Sequence, residues 1–312
     1  MAPPTVSVVI PVYNSSRTIP ILVPRLNTVL MQAASQFEII LVNDGSKDGS
    51  WNEIVKCCGY LHSVRGINLS RHYGQHNALL CGIRAAAFDV IITVDDDLMF
   101  QPEDIPRLLG KLDLDKDVVY GTPDTVPQGW RRRLAEKFNG TVLRLAMNSE
   151  HASKASMFRL FRTRLRDAFA DYQSPFVSLD VLLSWATTRF THVAVTPNVR
   201  TTTAPQVPLG KLLVDALTLA TSFNPLLLRL VSLKGFAVTG FGLVLFACAL
   251  AGLIFSGHGL AGIALLAGVV VTALGMQLVA TGIVGEYIAR VHLRSMGKPS
   301  YLIREEAERL AQ

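Results

Sequence analysis

Between Gly235 and Gly285 the sequence contains no aspartate, glutamate, lysine or arginine. Helices of soluble proteins keep a polar stripe toward water, so an uncharged run of this length excludes an ordinary amphipathic surface helix. The short break SGHG, with His258, divides the run into 235–255 and 260–285. Each piece is long enough to cross a bilayer core of about 30 Å at about 1.5 Å per residue. A transmembrane hairpin over 235–285 is therefore expected. The turn between the pieces also lacks lysine and arginine, whereas Lys211, Arg229 and Lys234 precede the first and Arg290, Arg294, Lys298 and Arg304 follow the second. That asymmetry puts both flanks, and with them both termini, in the cytoplasm.

Other absences narrow the reading further. Four cysteines (Cys57, Cys58, Cys81 and Cys248) show no metal-ligand spacing, which argues against a zinc site and a disulfide scaffold. The start, MAPPTVSVVIPVYN, has no basic segment ahead of a long apolar one, so no signal peptide is read. In the strand–helix region over the first two hundred residues neither GxGxxG nor GxxxxGK(S/T) occurs, which removes the dinucleotide fingerprint and the P-loop.

What is present is an excess of apolar residues, 50% with a mean hydropathy of +0.34, gathered at one end of the chain. The net charge of +6 is equally uneven: ten basic residues stand between Trp130 and Arg166 against only Glu136 and Glu150. A basic band attached to a membrane hairpin points to phosphate groups or anionic lipid headgroups. No nucleic-acid module accompanies it, and nucleic acid is not expected as a partner.

The first hundred residues alternate short apolar runs (TVSVVIPV, FEIILVN, VRGINLS, DVIITVD) with helical stretches near 18–35, 48–58 and 75–87. This alternation predicts an α/β fold with a mainly parallel sheet flanked by helices. DVVYGTPD, SMFRLFR, a helix near 178–188 and FTHVAV extend it. A cytoplasmic domain over 1–205 is expected, then amphipathic interfacial helices over 206–234, the hairpin, and a C-terminal interfacial segment over 286–312.

In such sheets ligands lie at the carboxyl ends of strands, and three of those ends are polar here: PVYNSS, NDGSKDGS and VDDDLMFQPED. Crowding Asp95, Asp96 and Asp97 raises the cost of ionising all three unless a cation compensates them. If the strand stays extended, Asp95 and Asp97 point the same way. Two such carboxylates suit Mg²⁺ or Mn²⁺ bound to a diphosphate. An acidic turn or cap ahead of PEDIPRLL would use the same residues, but the mouth of a parallel sheet favours the metal.

The ordered set VSVVIPVYN, LVNDGSKDGS, LSRHYGQHNALLCGI and DDDLMFQPEDIPRLL resembles the GT-A domain of family 2 glycosyltransferases. With the hairpin and VGEYIARVHLRSMGKPSYLI, the chain is similar to the polyprenyl-phosphate glycosyltransferases related to dolichol-phosphate mannose synthase. The resemblance implies that Pro11, Tyr13, Asn14, Asp44, Asp95 and Asp96 bind the nucleotide of a nucleotide-diphospho-sugar. It makes Asp95 and Asp97 the metal site, with Asp97 near the transferred sugar. Arg131, Arg132 and Arg200 would meet the phosphate of a polyprenyl carrier such as undecaprenyl phosphate, with Asp97, Arg132 and Arg200 as the catalytic set. The implied reaction is the inverting transfer of one sugar at the cytoplasmic face of a bacterial inner membrane. The residues leave the sugar, the carrier and the oligomeric state open, a homo-oligomer included.

The chain also departs from the family pattern. Ser15 stands in place of a glutamate, Asn43 in place of an aspartate, and Met99 in place of a glutamine that contacts the metal, while TTTAPQVPLGK replaces a glycine- and lysine-containing loop. A thioether is a poor ligand for these ions. The alternative expectation is accordingly a catalytically weak homologue that binds nucleotide or lipid phosphate as a membrane scaffold.

Overall fold

Val6, Val8, Val9, Ile10 and Val12 of strand β1 (Thr5–Val12) are completely buried. A strand apolar on both faces belongs in the middle of a sheet that helices cover on each side. The computed structural model, which describes residues 3–113, 115–123, 155–173, 178–196 and 299–308 with scattered positions between 269 and 295, places it there. The other strands are β2 (Gln36–Asn43), β3 (Val64–Leu69), β4 (Val90–Thr93), β5 (Val118–Pro123), β6 (Arg159–Arg162), β7 (Phe190–Val195) and β8 (Ile303–Ala307). Their order is β7-β5-β6-β4-β1-β2-β3-β8. β6 and β8 run antiparallel to their neighbours, and the remaining pairs are parallel.

Side chains on a strand alternate between faces, and the helices divide accordingly. Helix α1 (Ile19–Ala33) buries Ile19, Leu22, Val23, Leu26 and Leu30 at helical spacing, and α2 (Ser50–Tyr60) buries Ile54, Cys57 and Cys58. Both pack into one core with Val6, Val8, Ile10, Ile39 and Leu41. Helix α3 (Gln75–Ala85) takes the opposite face. It approaches so closely that a Cβ at Gly82 would lie 2.4 Å from Val9 Cγ1 and 3.0 Å from Val42 Cγ2. Helices α4 (Ile105–Leu109) and α5 (Leu179–Ala186) complete the described layers.

The mainly parallel sheet with flanking helices agrees with expectation. Two local features differ from it. The strand read as DVIITVD stops at Thr93, and the chain turns through the carboxylates with Leu98 at φ 61°. The second difference is at the C-terminal end, where Ile303–Ala307 of the segment assigned to the interface forms an edge strand on β3.

The chain divides into two compact units, one of Met1–Ala216 with Gly297–Gln312, the other of Leu217–Met296. In the second unit the described positions are helical, and Val270, Val284, Tyr287, Ile288 and Val291 are exposed. Among the described residues no helix is long and apolar enough to cross a membrane. The expected helices over 206–234 and the run 235–255 lie outside the described residues, as does most of 260–285.

Candidate active site

The strand order reverses at β1: the chain steps through β2 to β3 on one side and returns to β4 on the other. A reversal of this kind opens a crevice at the carboxyl ends of the diverging strands. Pro11 marks it. Val12 accepts the N–H of Asp44 on the β2 side, and Val9 accepts that of Val94 on the β4 side. Alternate residues of a strand address opposite neighbours, so the N–H that Pro11 lacks would face β4 after β4 has ended. No ladder bond is lost.

Beyond Pro11, the loops after β1 and β2 interlock. Asn14 adopts φ 55°, a left-handed conformation that asparagine tolerates. Its Oδ1 accepts the Lys47 N–H at 2.8 Å, and its own N–H donates to Ser46 Oγ at 3.0 Å. The N–H groups of Ser15 and Ser16 donate to Ser50 Oγ and Asp48 Oδ2. Burial opposes the charge of Asp48, yet the bonds from Ser50 and Ser16 hold its carboxyl down at about 2.

Asp44, buried at the end of β2, gathers the loop that follows β3. It accepts the N–H groups of Tyr73 at 2.7 Å and Gly74 at 2.9 Å, and His72 Nδ1 lies 2.9 Å from Oδ2. Gly45 makes this approach possible: at φ 64°, a Cβ there would sit 2.5 Å from the backbone of Arg71 and His72. The His72 ring in turn lies 4.3 Å from that of Tyr13, which is 43% exposed. Exposed rings beside a buried carboxylate offer a planar heterocycle a stacking surface and a hydrogen-bond acceptor.

The three aspartates after β4 face different partners. Asp96 Oδ2 accepts the Tyr13 N–H at 3.0 Å and the Ser15 hydroxyl, tying this turn to the β1 loop across the crevice. Asp95 Oδ1 accepts Gln75 Nε2 at 2.6 Å, and Asp97 Oδ1 accepts the Met99 N–H at 2.8 Å. Burial first, and then the charges of Asp97 and Asp96, push the Asp95 carboxyl up to about 7. Burial also raises that of Asp96. The second oxygens of Asp95 and Asp97 accept no hydrogen bond among the described residues.

This donor set fits a hard divalent cation. It supplies carboxylate oxygens and an uncompensated negative charge. Among the described residues no three His, Cys, Asp or Glu side chains converge on one point. A site built on two carboxylates would leave coordination positions for water and phosphate oxygens, as Mg²⁺ prefers. Met99 packs its side chain against the hydrophobic core.

Residues 7–172 match the model of the family described as Glycosyl transferase family 2. The chain belongs to glycosyl transferase family 2. It is accordingly a glycosyltransferase that uses a nucleotide sugar. Among solved structures the glycosyltransferase is similar to glucosyl-3-phosphoglycerate synthase from Mycobacterium tuberculosis in complex with phosphoglyceric acid. The TM-score is 0.53 at 18% identity, over 70% of this chain and 80% of that one. The same synthase with Mn²⁺, UDP-glucose and phosphoglyceric acid gives 0.53 at 17% identity, over 70% and 79%. With Mn²⁺, UDP and glucosyl-3-phosphoglycerate it gives 0.52 at 17%, over 70% and 78%. At such identity the likeness is one of fold.

The glycosyltransferase brings Pro11, Tyr13, Asn14, Asp44, Asp95, Asp96 and Asp97 to one crevice, while Arg131, Arg132 and Arg200 lie outside the described residues. Sequence reasoning missed the loop partners His72, Gln75, Asp48 and Ser50, although the serines of NDGSKDGS signalled a hydrogen-bonded turn. It also missed what lies behind the carboxylates. Arg159 of β6 pairs across from Thr93 of β4 and is completely buried. Its guanidinium donates to Asp180 Oδ1 at 2.7 Å, the same oxygen that takes the Tyr120 hydroxyl at 2.9 Å. His76 accepts the Leu179 N–H at 3.4 Å, and burial together with the Arg159 cation pushes its imidazole down to about 4. In the sequence Arg159 is one member of a basic band, with nothing local to mark it as interior.

Proposed function

We infer that this family 2 enzyme transfers a single sugar, with inversion, from a nucleotide-diphospho-sugar to a polyprenyl phosphate at the cytoplasmic face of a bacterial inner membrane. The single observation that carries the donor half is the crevice at β1 and β4, where Asp96, between Asp95 and Asp97, accepts the Tyr13 N–H, and His72 lies beside both the Tyr13 ring and Asp44. The acceptor half rests on the sequence: two uncharged runs with basic flanks in the same chain suit an acceptor whose tail stays in a bilayer.

In this reading Tyr13 and His72 hold the base, and Asp44 keeps lone pairs for the nucleoside beyond those given to Tyr73 and Gly74. Asp95 and Asp97 hold Mg²⁺ or Mn²⁺, in keeping with the carboxylate donor set. When bound, such an ion neutralises the charge that builds on the departing nucleoside diphosphate. The acceptor phosphate is already an anion at neutral pH and needs no strong base. What remains is to hold two anions close and in line, the task assigned by resemblance to Arg131, Arg132 and Arg200.

The test is transfer of label from a panel of nucleotide sugars to undecaprenyl phosphate by the purified full chain, beside Asp97→Ala and Arg132→Ala. One donor should give an organic-extractable, mild-acid-labile glycolipid in the presence of Mg²⁺ or Mn²⁺. Both variants should fall by about a hundredfold or more while remaining folded. Nucleotide binding without transfer from any donor would favour the scaffold reading and make Met99→Gln the first reversal to try.

A further inference from the structure

The departure at Asn43 has a structural counterpart. Asn43 precedes Asp44 at the end of β2, and its Nδ2 donates to Asn68 Oδ1 at 2.7 Å. Asn68 lies opposite on β3 and passes the connection outward, its Nδ2 donating to Glu305 Oε1 of β8 at 2.7 Å. Asn43 and Asn68 are buried, so this row of amides runs through the interior of the sheet. A carboxylate only accepts, so Glu305 orients both amides: Asn68 must turn its NH₂ outward and its carbonyl toward Asn43.

A second connection forms just past the end of β3. Ser70 donates both its N–H and its hydroxyl to the carbonyl of Leu302, each at 2.9 Å. Ser70 opens the loop whose Tyr73 and Gly74 N–H groups bind Asp44 and whose His72 meets Tyr13. Residues 302–305 thus hold Asn68, the β3 partner of Asn43, and Ser70, the first residue of the loop that closes on Asp44.

We propose that the C-terminal strand is a clasp for the nucleoside pocket, with Glu305 as a positioning residue that orders Asp44 and the 70–74 loop through Asn68 and Asn43. This rests on the reading of that pocket as the donor-nucleotide site. Glu305 touches no substrate and acts only through the ladder.

The experiment compares the full chain in detergent with Glu305→Ala and Glu305→Gln, measuring calorimetric binding of UDP, GDP and inorganic pyrophosphate in the presence of Mn²⁺. Glutamine keeps an accepting oxygen and should bind like the unaltered chain. Alanine should weaken the nucleoside diphosphate that the unaltered chain binds by roughly fivefold to tenfold. It should leave pyrophosphate affinity unchanged. Equal nucleotide binding by all three proteins would overturn the clasp alone, as would parallel losses for nucleotide and pyrophosphate. Failure of the unaltered chain to bind either nucleotide would overturn the donor-site reading and the proposal with it.

Discussion

At the scale of single residues, the site is built on backbone conformations that few side chains accept. Gly45 is the clearest, because the atoms that would meet a Cβ belong to the backbone of Arg71 and His72 and cannot rotate away. Gly45→Ala is expected to cost about 2–4 kcal/mol and to weaken nucleotide binding, as the 70–74 loop is displaced from Asp44. Gly59, with nothing within 4 Å of its would-be Cβ, is the control. Gly59→Ala should stabilise α2 by roughly 0.5 kcal/mol. Denaturant unfolding of the two variants against the parent distinguishes loop geometry from a general effect of added methyls. Leu98, at φ 61° between Asp97 and Met99, is a second strained position, and it lies beside the carboxylates where strain is commonly stored.

At the scale of elements, α3 connects the two sides of the site: Gln75 reaches Asp95, and the next residue, His76, meets α5 near the Arg159–Asp180 pair. With its imidazole held at about 4 against an ordinary 6.5, His76 binds fewer protons in the folded chain than in the unfolded one between those pH values. Stability should therefore fall as pH drops from 6.5 to 4. The ring keeps some contact with solvent, so the loss attributable to it is about 1–2 kcal/mol. Thermal midpoints across that range should decline less steeply in His76→Gln than in the parent. How far such elements could be read in advance follows from where their order originates. β1 and β2 are continuous apolar runs and announce themselves, as do the polar ends that carry Asp44 and Asp95. The strand β8 reads IREEA and looks like a solvated segment; only pairing with β3 makes it a strand. Asp95 and Asp97 would share a face only on extended backbone, whereas the chain turns through them to Leu98. Arg159 was hidden for a third reason. Its burial depends on Asp180 and Tyr120, which neighbour it in space and not in sequence.

At the scale of the whole molecule, the membrane reading makes a prediction independent of catalysis. A cysteine placed by His258→Cys, between the two uncharged runs, should react in intact cells with a membrane-impermeant maleimide. One placed by Lys47→Cys should react only after lysis, and equal labelling of both in intact cells would overturn the proposed orientation. The join between β3 and β8 carries a different consequence. Ser70 and Leu302 stand 232 residues apart. At about 5–20 residues per second, a ribosome takes roughly ten to fifty seconds to pass from one to the other. During that interval the edge of β3 has no strand to cover it, and both uncharged runs are synthesised before Glu305 emerges. The eight-stranded sheet is therefore completed only once nearly the whole chain has been made, its last strand closing on an edge laid down among its first.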